Sequence, residues 1–140
     1  MSSSWTLALH GGAGTIPRAA MSDAARAAHL GALHAALEAG AAVLRGGGSA
    51  EEAVVAAVLA LEDCPLFNAG HGSTLTAAGT VEMDAALMLS SGRAGAVTGV
   101  TRLRNPILAA RAVMHANGAV LLAGPGADAF GEAQGLATAP

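Results

Sequence analysis

Between Cys64 and Met88 the chain reads CPLFNAGHGSTLTAAGTVEMDAALM, and no other stretch restricts the fold as much. Pro65 cannot extend the helix that arrives at Cys64, because its ring removes an amide donor and crowds the preceding turn. Glycines at 70, 72 and 79 punctuate the loop that follows, Leu66 to Gly79. Apolar alternation then returns and predicts strands over Val81 to Leu89 and Ala94 to Val100, with a turn at Ser90 to Arg93. A helix must therefore hand over to a hairpin through a loop of sharp, glycine-dependent turns.

Upstream, Trp5 to Leu9 reads as a short buried strand closed by a glycine turn at Gly11 to Gly14. Ser22 is a good N-cap for a long helix whose Leu30, Leu33, Leu37 and Leu44 share one face. Gly46-Gly47-Gly48 stops it, and Ser49-Ala50-Glu51-Glu52 is a capping box opening a second helix with Val54, Ala57, Val58 and Leu61 as its apolar face. Downstream, Asn105-Pro106 predicts an N-cap and first-turn proline for a helix ending at Asn117-Gly118. Ala119 to Ala123 reads as a strand buried on both faces. A turn at Gly124 to Gly126 and a weak helix over Ala127 to Gln134 follow, and residues 135–140 read as the start of a flexible linker. Helices over a sheet make the class α/β or α+β.

Composition limits the function classes. Of the 140 residues, 53% are hydrophobic but only 2% aromatic, so the apolar mass is Ala, Leu and Val, which buries little area per residue. A chain this long amounts to one domain and would bury roughly 68–70% of its extended surface if it folded alone. Net charge is −3 and all seven basic residues are Arg, without a basic stripe for nucleic acid. Absence of Lys excludes a G-x-x-x-x-G-K phosphate loop. Cys64 is the single cysteine, so there is no intrachain disulfide, and a reducing, cytoplasmic setting is expected. The N-terminus lacks the charged start of a signal peptide, and the charge-free run Ala112 to Ala127 is too short to span a membrane.

Several side chains invite chemistry. His10-Gly11-Gly12 suits either a tight turn or an oxyanion loop, since a glycine turn lets amides converge on negative charge. His29 and His34 stand about 140° apart on a helix and cannot share a metal, and His10, His71 and His115 fall in separate elements. Glu82 and Asp84 point to one side of a strand, either as an acid/base pair or as acceptors for backbone amides. Asn68 can donate and accept at once, or simply make a turn beside Ala69-Gly70.

Taken in order, His10-Gly11-Gly12-Ala13-Gly14, Cys64-Pro-Leu-Phe-Asn-Ala-Gly-x-Gly72, Glu82-Met83-Asp84-Ala85, Leu103-Arg104-Asn105-Pro106 and the Gly124 to Gly126 turn closely resemble the plant-type L-asparaginase and isoaspartyl aminopeptidase family. That resemblance implies an N-terminal nucleophile hydrolase with a four-layer αββα sandwich, α+β in class, completed by a second, β subunit. It implies self-cleavage, a Thr nucleophile at the new N-terminus of that partner, an (αβ)₂ assembly, and hydrolysis of L-asparagine or β-aspartyl peptides. This chain, 1–140, would be the α-subunit portion, contributing Asn68 beside the nucleophile and the Gly11-Gly12 turn as support. No catalytic cofactor is implied. A structural sodium is, held by main-chain oxygens of Leu61, Glu62, Cys64, Phe67, Ala69 and His71, a donor set that suits a hard cation. Other readings are a glycosylasparaginase or threonine aspartase relative, or an inert scaffold or binding half.

Overall fold

Two serines set the first helices in the computed structural model, which describes residues 4–13, 20–116 and 118–139. Ser22 Oγ accepts from Ala25 N at 3.1 Å and opens α1, Asp23–Arg45. Gly47, at φ +82°, takes the left-handed conformation that closes α1. Ser49 and Glu52 then form the expected reciprocal capping box of α2, Ala50–Glu62.

Both helices sit where the sequence predicts, and their expected faces are buried in part: Ala57 and Leu61 of α2 are buried and Leu33 of α1 packs beside Ala36 and Leu61. Leu30 is 55% exposed and Val54 is exposed too, whereas Ala36, Gly40 and Ala41 of α1 are buried and Gly40 lies against Ala53 and Ala57 of α2. A Cβ on Gly40 would lie 2.7 Å from Ala53 O and 3.3 Å from Ala57 Cβ. Small residues let the two backbones approach this closely. Among the described helices α1 alone has the length and apolarity to cross a membrane, and its small-residue stripe is spent on α2.

The expected hairpin forms as β1, Met83–Met88, and β2, Ala94–Val100, paired antiparallel. β2 continues through α3, Pro106–His115, to β3, Leu121–Ala123, which pairs parallel with β2 and gives the order β1-β2-β3. α4, Gly124–Ala133, follows at once. Met83 pairs with Val100 but Ala85 with Val97, so β2 holds one extra residue opposite Asp84. Gly99 at φ +61° makes that bulge possible. Plain alternation would send Val97 and Val100 to opposite faces; the bulge buries both.

Other expectations are corrected. Residues 5–9 form no strand: Trp5 is 42% exposed, Leu7 packs over Gly40 and Leu9 joins the α1–α2 core, so no ladder partner is met. β3 is three residues long and not buried on both faces, with Leu121 and its neighbour Val120 exposed. α4 begins directly at Gly124, with Pro125 in its first turn, where a missing amide costs nothing. The segment after Gly135 is paired rather than loose, since Arg104 N donates to Ala137 O at 2.9 Å and Ala139 N to Arg102 O at 2.8 Å. Gly14, Asn117 and Pro140 lie outside the described residues.

The result is a small α+β unit. One core joins Val97, Val100 and Leu103 to Ala109, Val113 and Ala127 of α3 and α4. A second links α2 to the sheet through Val55, Leu87, Ile107 and Met114. A third packs Phe67 on Ala36 and Leu61. The other face of the sheet, where Ala86 pairs with Ala96 and Ala96 with Leu121, carries small apolar side chains and the 71%-exposed Met88.

Candidate active site

The 66–79 loop is built around close approaches that only glycine allows. Gly70, at φ +50°, lies against the Glu62 carbonyl, and Gly72 against those of Phe67 and Pro65; a Cβ at either would overlap backbone. The carbonyls at the end of α2 are thereby folded over the loop. Of the six oxygens expected to hold a cation, those of Leu61, Phe67 and Ala69 each accept a backbone N–H already, while those of Glu62, Cys64 and His71 accept none among the described residues. The main-chain oxygens of Glu62, Cys64 and His71 are of the kind that a hard, weakly demanding cation takes. No group of three or more His, Cys, Asp or Glu side chains suited to a metal occurs among the described residues.

Gly11 is seated on this loop. A Cβ there would fall 2.8 Å from Leu33 Cδ2 and 3.0 Å from Phe67 Cε1, so the turn lies directly on the residue before Asn68. Gly12 has φ +107° with open space around it, and its N–H donates to His10 Nδ1 at 3.1 Å. Two motifs more than fifty residues apart thus meet at Phe67. Asn68 is exposed, and its Oδ1 accepts from Thr74 N at 2.9 Å and Thr74 Oγ1 at 3.3 Å.

Asn68 borders a polar cavity of about 210 Å³ together with Glu62, Ser73, Glu82 and Asp84. Of the two carboxylates, Asp84 lies in β1 and Glu82 just before it. Asp84 fills the β2 bulge, accepting from Thr98 Oγ1 at 2.6 Å and Gly99 N at 2.8 Å. The Thr98 hydroxyl and then the Gly99 amide hold its carboxyl below the usual range. Glu82 stays exposed.

Three groups escaped sequence reasoning. Glu62 is 3% exposed, and its Oε1 accepts from Ile107 N at 3.0 Å while Oε2 is buried without a partner. Burial pushes its carboxyl up to about 7, and the Ile107 amide offsets this only in part. Glu62 thereby caps α3 in place of Asn105, whose Nδ2 donates to Asp63 Oδ1 at 3.3 Å. It also borders a second cavity of about 510 Å³ beside His71, Leu103 and Arg104. Asp128, buried in α4, receives Thr101 N, Thr101 Oγ1 and Arg102 N at 3.1–3.3 Å. Burial raises its carboxyl, yet those hydrogen bonds win and it titrates below its ordinary value. Glu51 at the start of α2 takes Arg111 Nε and pairs with His115 Nε2, both at 2.7 Å, tying α2 to α3. His115 and then Arg111 lower its pKa. The sequence signal for Asp128 was an acid on the same helix face as Ala127 and Gly131; for Glu62 there was none, because its partner lies 45 residues away.

The glycine turn at Gly11 is thus docked on Phe67, the residue just before the Asn68-Ala69-Gly70 run. An asparaginase family model matches residues 3–140, and the chain belongs to that family. It is 47% identical over 132 residues to the isoaspartyl peptidase of Salmonella typhimurium, covering 94% of this chain and 42% of that protein. It is 47% identical over 137 residues to the plant-type L-asparaginase of Pyrobaculum calidifontis (96% and 44%) and 45% identical over 131 residues to the isoaspartyl peptidase/L-asparaginase of Homo sapiens (93% and 41%). The chain therefore spans about two fifths of the length of these relatives.

Proposed function

We propose that this chain is the α-subunit portion of an isoaspartyl peptidase/L-asparaginase, hydrolysing the side-chain amide of L-asparagine or the β-linkage of an aspartyl peptide. The reading is carried by one observation: in a chain 47% identical to an isoaspartyl peptidase, the Gly11 turn and the Asn68 loop converge on Phe67. The attacking group is a Thr at the N-terminus of a β subunit cut from the same precursor, with its own α-amine as base. The residues that grip the substrate belong to that subunit as well. Asn68 then orients substrate or nucleophile, and Gly11-Gly12 keep the neighbouring backbone close.

The open apolar face of the sheet, with Met88 and Leu121 uncovered, supports an αββα sandwich in which the partner's sheet lies against this one. Two such pairs make an (αβ)₂ assembly, in the cytoplasm as the single cysteine suggests. A sodium ion held by the main-chain oxygens of Leu61, Glu62, Cys64, Phe67, Ala69 and His71 supplies rigidity to the loop and no chemical step. Those carbonyls fix Phe67, and through it Asn68.

The test is mass spectrometry and assay of the full-length protein. Two polypeptides are expected, the second beginning with Thr, together with release of aspartate from L-asparagine or a β-aspartyl dipeptide. A single uncut chain that still hydrolyses either compound would overturn the nucleophile assignment. A processed protein inert towards both would overturn the substrate class.

A further inference from the structure

Asn68 is held in one orientation by Thr74. The Thr74 main-chain N–H, 2.9 Å from the side-chain amide, can only donate, so the atom facing it is the Asn68 carbonyl oxygen and not its NH₂. The Thr74 hydroxyl, 3.3 Å from the same oxygen, adds a second bond to that side. Flipping the amide would set NH₂ against N–H and lose both bonds. Nδ2 donates to no group among the described residues, and Asn68 borders the polar cavity with Ser73, Glu82 and Asp84. What Asn68 offers the cavity is its pair of N–H donors.

We infer that Asn68 acts at the reaction centre as a hydrogen-bond donor, its amide locked by Thr74, and that the group it meets is an oxygen acceptor rather than an ammonium. This rests on the reading of Asn68 as a reaction-centre residue. The acceptor is an amide carbonyl or carboxylate oxygen of the substrate, or the hydroxyl oxygen of the nucleophile. A positive group in the same cavity has the carboxylates of Glu82 and Asp84 to accept its hydrogens. Thr74 is a positioning residue, and because its main chain supplies the shorter bond, side-chain substitution there leaves the lock largely in place. The test therefore falls on Asn68.

In the complete processed enzyme, Asn68→Asp keeps an oxygen for both Thr74 donors but replaces the cavity-facing NH₂ with oxygen. Asn68→Ala removes both halves. If Asn68 donates, Asp should be as damaging as Ala, each lowering kcat by about hundredfold, as removal of a preorganised donor does, with the melting temperature of the Asp variant close to that of the parent. If Asn68 instead accepts from an ammonium, Asp should retain or improve activity while Ala loses it. That result overturns the donor assignment and leaves the proposed function standing. Full activity in Asn68→Ala would remove Asn68 from the reaction centre altogether and overturn the donor assignment, with the hydrolytic reading left standing. A structure of the unsubstituted enzyme with bound aspartate gives a second measure. An acceptor oxygen within hydrogen-bond distance of Nδ2 is expected, and an ammonium nitrogen as its nearest polar neighbour would overturn the proposal.

Discussion

At the scale of single residues, the buried carboxylates of Glu62 and Asp128 show opposite outcomes of one competition. Desolvation disfavours the charge on each, and hydrogen-bond donors favour it. Asp128 receives three donors and stays acidic, whereas Glu62 has one donor on Oε1, an orphaned Oε2, and a pKa of about 7. The signs follow. Glu62 binds its proton more tightly folded than unfolded, so its contribution is fully present below its ordinary 4.5 and is lost as pH rises through about 7. Asp128, Asp84 and Glu51, all lowered, contribute above the ordinary carboxylate range and lose that contribution as pH falls through their folded values. Glu62→Gln should flatten the fall in melting temperature between about 4.5 and about 7 while leaving the acid limb unchanged. A parent protein whose melting temperature rises across that window would contradict the assignment.

At the scale of elements, the α1–α2 crossing depends on having no side chain at Gly40. Alanine normally stabilises a helix interior over glycine by about 1 kcal/mol. At Gly40 a Cβ would press on Ala53 O at 2.7 Å, a backbone atom that cannot move without shifting α2. At Gly31, in the same helix, a Cβ meets nothing within 4 Å. Chemical denaturation should therefore give opposite signs: Gly31→Ala stabilising by about 1 kcal/mol, and Gly40→Ala destabilising by about 1–3 kcal/mol through overpacking. Equal stabilisation by both would mean that the helices are not in close contact at Gly40. The leucine periodicity of α1 located the buried face only in part, with Leu33 packed and Leu30 exposed, because it weighs side-chain size alone. A stripe of Ala and Gly is invisible to that pattern until a second helix is laid on it.

At the scale of the whole molecule, among the described residues helices pack on one side of the sheet and little covers the other. Leu30, Leu75, Met88, Val120 and Leu121 are all more than half exposed. Apolar surface of this kind marks an interface or an aggregation hazard, and with so few aromatics the core offers little to compensate. Residues 1–140 expressed alone should bind a hydrophobic dye, melt without a cooperative transition and show no amidase activity. A soluble monomer with a sharp melting transition would overturn the half-enzyme reading and favour an independent module.

The N-termini of α1 and α2, the capping box, the hairpin and the order of the motifs were determined by the sequence itself, because each rests on contacts within a few residues. Ser49 with Glu52, Gly47 after Arg45, and Pro65 after Cys64 need no distant partner. The resemblance that leads to Asn68 and Gly11 was also legible, since it lies in the order of short motifs. Only the tertiary structure decided the rest. Which face of α1 is buried, that residues 5–9 join no sheet, that one extra residue in β2 turns Val97 and Val100 the same way, and that Glu62 caps α3 all depend on how closely separate segments approach. The seating of Gly11 on Phe67 and the locking of Asn68 by Thr74 belong to the same class. Local pattern sets where an element begins and ends; the burial of a given side chain and the satisfaction of its hydrogen bonds are properties of the partner it meets.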